Sequence, residues 1–171
     1  MRFLTPDECR AWGSQTGYVL DERGAPSRPS TKPHHVRRDV PQSFTRLTAF
    51  CRHLEASLRP RQACLLWVTD WGIWEENLHL YYRLRQSYRD PRLLHEAPGH
   101  LFLEYEGADL VSFLEVAVLC GWDVHLLPTV GYAQAFVSHD EFVEFASDEH
   151  NPGLITEFAA WYAGGTSGAA V

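Results

Sequence analysis

Apolar residues recur at two different periods along this chain, and the switching between them predicts alternating helices and strands. Phe44, Leu47, Cys51, Leu54 and Leu58 are spaced by three and four, one apolar stripe on a helix that starts near Pro41 and stops at Pro60. Ala63 to Thr69 is a near-continuous apolar run and predicts a buried strand, with Asp70 capping the turn that follows. A helix is expected from roughly Trp74 to Arg89, burying Trp74, Leu78, Tyr81 and Tyr88 or their neighbours. His100 to Glu106 alternates as a strand does. Asp109 to Cys120 reads as an apolar helix with Gly121 as its stop. Trp122–Leu127 and Ala133–Val137 are two further strands.

The ends of the elements carry their own signals. Thr5-Pro6-Asp7-Glu8 is a capping box with proline at the first helical position, so a short helix is expected to about Ser14. Ser138-His139-Asp140-Glu141 has the same form and predicts a second short helix, with Phe142, Phe145 and Ala146 on its apolar face. Leu154–Tyr162 reads as a last helix. Residues 21–40 hold three prolines without apolar periodicity and read as a basic, Pro-rich arm. Residues 163–171 read as a flexible tail after a single domain spanning 1–162. The expected fold is α/β (or α+β): a four-stranded mixed, largely parallel sheet with helices packed on at least one face. Its core is expected to include Leu65, Leu66, Val68, Phe102, Leu114, Val118, Val124, Leu126, Phe136 and Phe142.

Charge divides the chain. Residues 1–92 carry all fifteen basic residues and ten acidic ones; residues 93–171 carry twelve acidic residues and no Lys or Arg. The balance is about +5 against −12, a field suited to a basic partner, a metal ion or the chain's own first half. No run approaches the roughly 18 apolar residues of a membrane span, so no membrane partner is expected. MRFLTPDECR lacks the apolar core of an export signal, and a cytoplasmic protein is expected. Cys9, Cys51, Cys64 and Cys120 are irregularly spaced and read as buried free thiols.

Candidate chemistry is sparse. His95-Glu96-Ala97-Pro98-Gly99-His100 invites a metal reading with His95, Glu96 and His100 as ligands. Its histidines stand five apart across a Pro-Gly break, the wrong spacing for a helical zinc motif, so no metal and no cofactor is expected. Asp123 and His125 share one face of a strand. His139, Asp140, Asp148, Glu149 and His150 crowd a later stretch. Ser138 lacks the glycines of a nucleophile elbow, and no nucleophile is paired to a base. The glycine motifs of dinucleotide and P-loop nucleotide binding are absent. Arg28, Lys32, His34, His35, Arg37 and Arg38 make the arm basic; pairing with the acidic second half is expected ahead of nucleic acid. Trp71 and Trp74 flank a turn where α/β sheets place ligand clefts.

These features lead to one function first: a non-enzymatic acidic binding protein, of inhibitor, immunity or adaptor type, engaging a basic protein partner. Trp71, Trp74, Asp140, Glu141, Glu144, Asp148 and Glu149 would form the docking face. The alternatives are a hydrolase-type enzyme with a His/carboxylate site near His95–His100, His125 and His139, and a structural or oligomerising protein.

Overall fold

The computed structural model describes residues 1–59, 61–71, 78–129 and 133–164. Its strands are β1 (Arg2–Leu4), β2 (His34–Asp39), β3 (Ala63–Asp70), β4 (Gly99–Leu103), β5 (Asp123–Pro128), β6 (Ala133–Val137) and β7 (Phe142–Ser147). Its helices are α1 (Pro6–Gln15), α2 (Phe44–Ser57), α3 (Leu78–Ser87), α4 (Gly107–Leu119) and α5 (Gly153–Gly164). The strands form one seven-stranded sheet in the order β1-β4-β3-β5-β6-β7-β2, and every neighbouring pair is antiparallel.

The four-stranded, largely parallel sheet expected from the sequence is therefore corrected. Helices do separate β3, β4 and β5, but α3 returns the chain beside β3 in the opposite direction. The segment β4–α4–β5 is a crossover between two parallel strands, yet β3 lies between them and is antiparallel to both. Three strands carry little signal. β1 is three residues long, and β2, HHVRRD, is a mostly exposed edge strand without an apolar face. In β7 the spacing of Phe142, Phe145 and Ala146 fits a helix, but the segment is a strand buried on both faces. The residues read as a capping box before it form a hairpin turn instead. Ser138 N donates to Phe142 O (2.8 Å), and Glu141 takes a left-handed φ of 63°.

The basic arm is part of this sheet. Residues 21–31 cross one face, and His34–Asp39 pairs along all of Phe142–Ser147, setting Arg37 opposite Glu144. The Arg37 guanidinium lies 3.3 Å from the centroid of the Phe142 ring.

The two faces are covered unequally. On one, Cys64, Leu66, Val68, Phe102, Val124, Leu126, Val143 and Phe145 pack beneath α2, α4 and α5 as the main core. Leu65, Trp67, Leu101 and Leu127 point the other way and meet Cys9 of α1 and Tyr18. Gly99 allows α1 to approach: a Cβ there would run into Cys9 Sγ and stand 3.0 Å from Leu4 Cβ. The capping box of α1 forms as its sequence dictates, Thr5 N donating to Glu8 Oε2 (2.8 Å) and Glu8 N to Thr5 Oγ1 (3.3 Å). Of the core residues expected from sequence, Val118 is half-buried and the others are buried. No helix among the described residues is long and apolar enough to cross a membrane.

Candidate functional site: a cleft on the less covered sheet face

Where α1 and residues 21–31 arch over the second face, they leave a cleft of about 700 Å³. That volume lies within the range of small-molecule sites, about 300–1,000 Å³. Its floor is made by alternate residues of three neighbouring strands, Trp67, His125 and Phe136. Its rim is the arm. Asp21 Oδ1 accepts hydrogen bonds from Arg23 N (2.8 Å) and Ala25 N (2.9 Å), and Gly24 supplies the left-handed turn between them, φ 77°. Arg10, Arg23 and Arg28 line the cleft. The Arg28 guanidinium lies 4.3 Å from the Phe136 ring centroid, and its Nη2 stands 4.0 Å from Asp123 Oδ2.

One end of the cleft is acidic. Asp70 closes β3 and Asp123 opens β5, and the two are cross-strand partners. Simple alternation would put Asp70 on the main-core face with Val68. A β-bulge between Val68 and Asp70 adds one residue and turns Asp70 onto the face of Asp123. His139 comes from the β6–β7 turn. Asp123 Oδ1 accepts a hydrogen bond from His139 N (2.8 Å) and lies 2.9 Å from His139 Nδ1. Ligand atoms of Asp70, Asp123 and His139 all fall within 4.8 Å of one another.

His125 is 4% exposed. Burial, with a smaller effect from Arg28, pushes its pKa down to about 3, so the ring is neutral. Its ring packs on Phe136 with centroids 4.7 Å apart.

The residues expected to form a docking face do not lie together. Trp71 is half-buried at the cleft wall, and Trp74 lies outside the described residues. Asp140 and Glu141 are exposed in the β6–β7 turn, at the Asp70–Asp123 end of the sheet. Asp148 and Glu149 follow β7 at its other end, about 17–20 Å away for a strand of that length. Glu144 does not point to water as expected: it is buried in β7 and accepts from Ser30 N at 3.3 Å. Asp148 caps a turn, its Oδ1 accepting from His150 N (3.1 Å) and Asn151 N (3.0 Å). Asp148→Ala is therefore expected to cost about 1 kcal/mol, while Asp140→Ala and Glu149→Ala stay within about 0.5 kcal/mol, read from thermal melts.

The alternative ligand set His95, Glu96 and His100 is also separated. His95 lines the cleft, Glu96 Oε2 accepts from Leu93 N (2.6 Å), and His100 is buried on the opposite sheet face against Phe3, Tyr81 and Phe113. All four cysteines are buried and free, and burial pushes their pKa values up to about 11 for Cys120 and about 12 for the others. Thiolate chemistry is disfavoured at each.

The sequence places Asp123 and His125 on one strand face and groups His125 with His139 in the alternative site, but it reads Asp70 as a cap. Only the bulge joins Asp70 to the others, and no residue pattern announces it. No family model, curated protein or solved structure matches the chain.

Proposed function

We propose that the protein is a hydrolase-type enzyme that binds a small phosphate ester in the sheet-face cleft. The observation that carries this is one concave site holding three arginines along its rim and a carboxylate–histidine group at one end. A monoanion needs a single cation, whereas a phosphate dianion is suited by several, and planar guanidinium groups match its oxygens with paired N–H donors. Arg28, stacked on Phe136 and only 4.0 Å from Asp123, stands between the anion-attracting rim and the acidic end. The reaction consumes water: its oxygen forms the new bond to phosphorus, the ester P–O bond breaks, and the departing alkoxide takes up a proton.

The exposed acidic residues give weaker support to a docking face for a basic protein, since they divide between the two ends of β7.

Inorganic phosphate and p-nitrophenyl phosphate test the proposal. Trp67 and Trp71 line the cleft, so tryptophan fluorescence should change saturably with phosphate. Arg28→Met should weaken phosphate binding about tenfold, the loss of one charge-assisted hydrogen bond. The protein should release p-nitrophenol, and Asp123→Asn should abolish that release while retaining phosphate binding. Absence of saturable binding by millimolar phosphate would overturn the site. Binding without turnover would overturn the hydrolytic step.

A further inference from the structure

We propose that the open edge of β2 is a docking strand for an extended segment of a partner protein in which acidic and apolar residues alternate. The proposal is independent of the phosphate-ester reading, because no residue of β2 lines the cleft.

β2 is six residues long, mostly exposed and last in the sheet order, so one of its sides is paired and the other is not. The pairing with β7 fixes which groups are left over. Val40 N donates to Glu141 O (2.8 Å), and bonded residues alternate along an antiparallel ladder. His34, Val36 and Arg38 therefore turn their N–H and C=O groups toward β7, while His35, Arg37 and Asp39 turn theirs outward. Arg38 Nη1 donates to Arg37 O (2.8 Å), as an outward carbonyl permits. No backbone group among the described residues pairs with the outward amides of His35, Arg37 and Asp39. A row of this kind is a template for a further strand, whose arriving N–H would replace the Arg38 guanidinium at Arg37 O.

The side chains select that strand. Arg37 lies on the sheet face that carries Phe142 and packs on its ring. Val36 lies on the other face, half-buried at the margin of the main core with Trp161 and Tyr162. An added strand would set alternate side chains beside Arg37 and beside Val36. Carboxylates suit the first set, since opposite charges on facing strands attract, and apolar groups suit the second. The cations are available: among the described residues Arg28 of the arm reaches a carboxylate, Asp123, whereas Lys32, Arg37 and Arg38 form no ion pair.

Two other occupants fit less well. A second copy pairing antiparallel through the same outward groups, in the register of greatest overlap, would set Arg37 against Arg37, and like charges directly opposite are destabilising. A nucleic-acid strand could meet the cations but would leave the row of outward C=O groups without donors. The charges that keep identical edges apart are thus the ones that admit an acidic strand.

The probe is the capped peptide acetyl-Val-Glu-Val-Glu-Val-Glu-Val-amide, titrated calorimetrically into the full-length protein. Saturable binding is expected, with the amides of His35, Arg37 and Asp39 gaining protection from hydrogen exchange. N-methylation of alternate peptide residues keeps the charge, removes donors and should weaken binding about tenfold. Lysine in place of each glutamate should abolish it. Arg37→Met should bind about fivefold more weakly, the contribution of one cross-strand charge pair, with far-UV circular dichroism unchanged. Arg37→Pro removes an N–H that β7 does not use and should weaken binding about tenfold. No saturable binding at about millimolar peptide would overturn the proposal. So would binding indifferent to N-methylation, or equal binding of the lysine peptide. A dimer in sedimentation whose outward β2 amides are already protected would give the edge to a second copy. Stronger protection of those amides by a single-stranded oligonucleotide than by the peptide would give it to nucleic acid. Either result overturns the proposal.

Discussion

Lowering the pH from 7.5 to 5 is expected to cost this fold about 4 kcal/mol, about 2 kcal/mol from each of two buried histidines. His100 is fully buried and His125 nearly so, and burial pushes both pKa values down to about 3. In the unfolded chain a histidine titrates near 6.5. Below that pH the unfolded state takes up protons that the folded state refuses, so stability falls as pH falls, and continues to fall until the folded pKa is reached. Half-buried His53 is pushed the same way. The carboxylates whose pKa values are lowered, Glu55 and Asp90 among them, contribute only further into acid. Urea midpoints between pH 7.5 and 5 isolate the histidines. His100→Phe, in a nest of Phe3, Tyr81 and Phe113, should remove about half of the acid loss. A midpoint that stays flat across this window would refute the assignment.

Glu55→Gln is expected to destabilise the protein by about 3–5 kcal/mol, the usual cost of removing one partner of a buried ion pair. Arg61 has a side chain with no exposure; its Nη2 meets Glu55 Oε1, and its Nη1 donates to Glu55 O at 3.1 Å. Arg59 adds bonds to the same oxygen at 3.1 and 2.8 Å. Burial pushes the Glu55 pKa up, and the hydrogen bonds and charges of the two arginines more than reverse it. Glutamine keeps the shape but leaves the Arg61 cation without compensation. Gly107 closes over the cluster, since a Cβ there would stand 2.6 Å from Glu55 Oε1. The double variant Glu55→Leu with Arg61→Met should lie closer to wild type than Glu55→Gln does, because it removes both charges together. A loss below about 1 kcal/mol for Glu55→Gln would show that the pair is not held as described.

The sequence patterns expose the middle of the sheet and conceal its edges. β3, β5 and β6 are apolar because both faces are covered, and a continuous apolar run is visible without knowing its neighbours. β2 is held by its backbone pairing with β7, and hydrogen bonding of that kind leaves no trace in HHVRRD. β7 misleads because Phe142, Phe145 and Ala146 satisfy both a helical stripe and a doubly buried strand. The choice between them rests on whether β6 turns back at Ser138. The direction of pairing is equally hidden: a helix between two strands suggests a parallel crossover, and here β3 is inserted into one. The candidate site inherits these gaps. Asp123 and His125 are legible as a pair on one strand face, whereas Asp70 reaches them only through a bulge and His139 only through a hairpin.

The pairing of β2 with β7 also sets the order in which the molecule can be assembled. The two strands are over a hundred residues apart in the chain, and closing so long a loop is slow and entropically costly. The central meander β5–β6–β7 needs only short connections and offers the template on which β2 must later dock. Residues 21–31, the rim of the cleft, run between α1 and β2 and are held both by that docking and by contacts of their own, Ser27 N donating to Val19 O and Ser30 N to Glu144 Oε2. The rim of the cleft thus depends in part on the pairing of one edge strand. Amides of β2 should exchange with solvent well before those of β3.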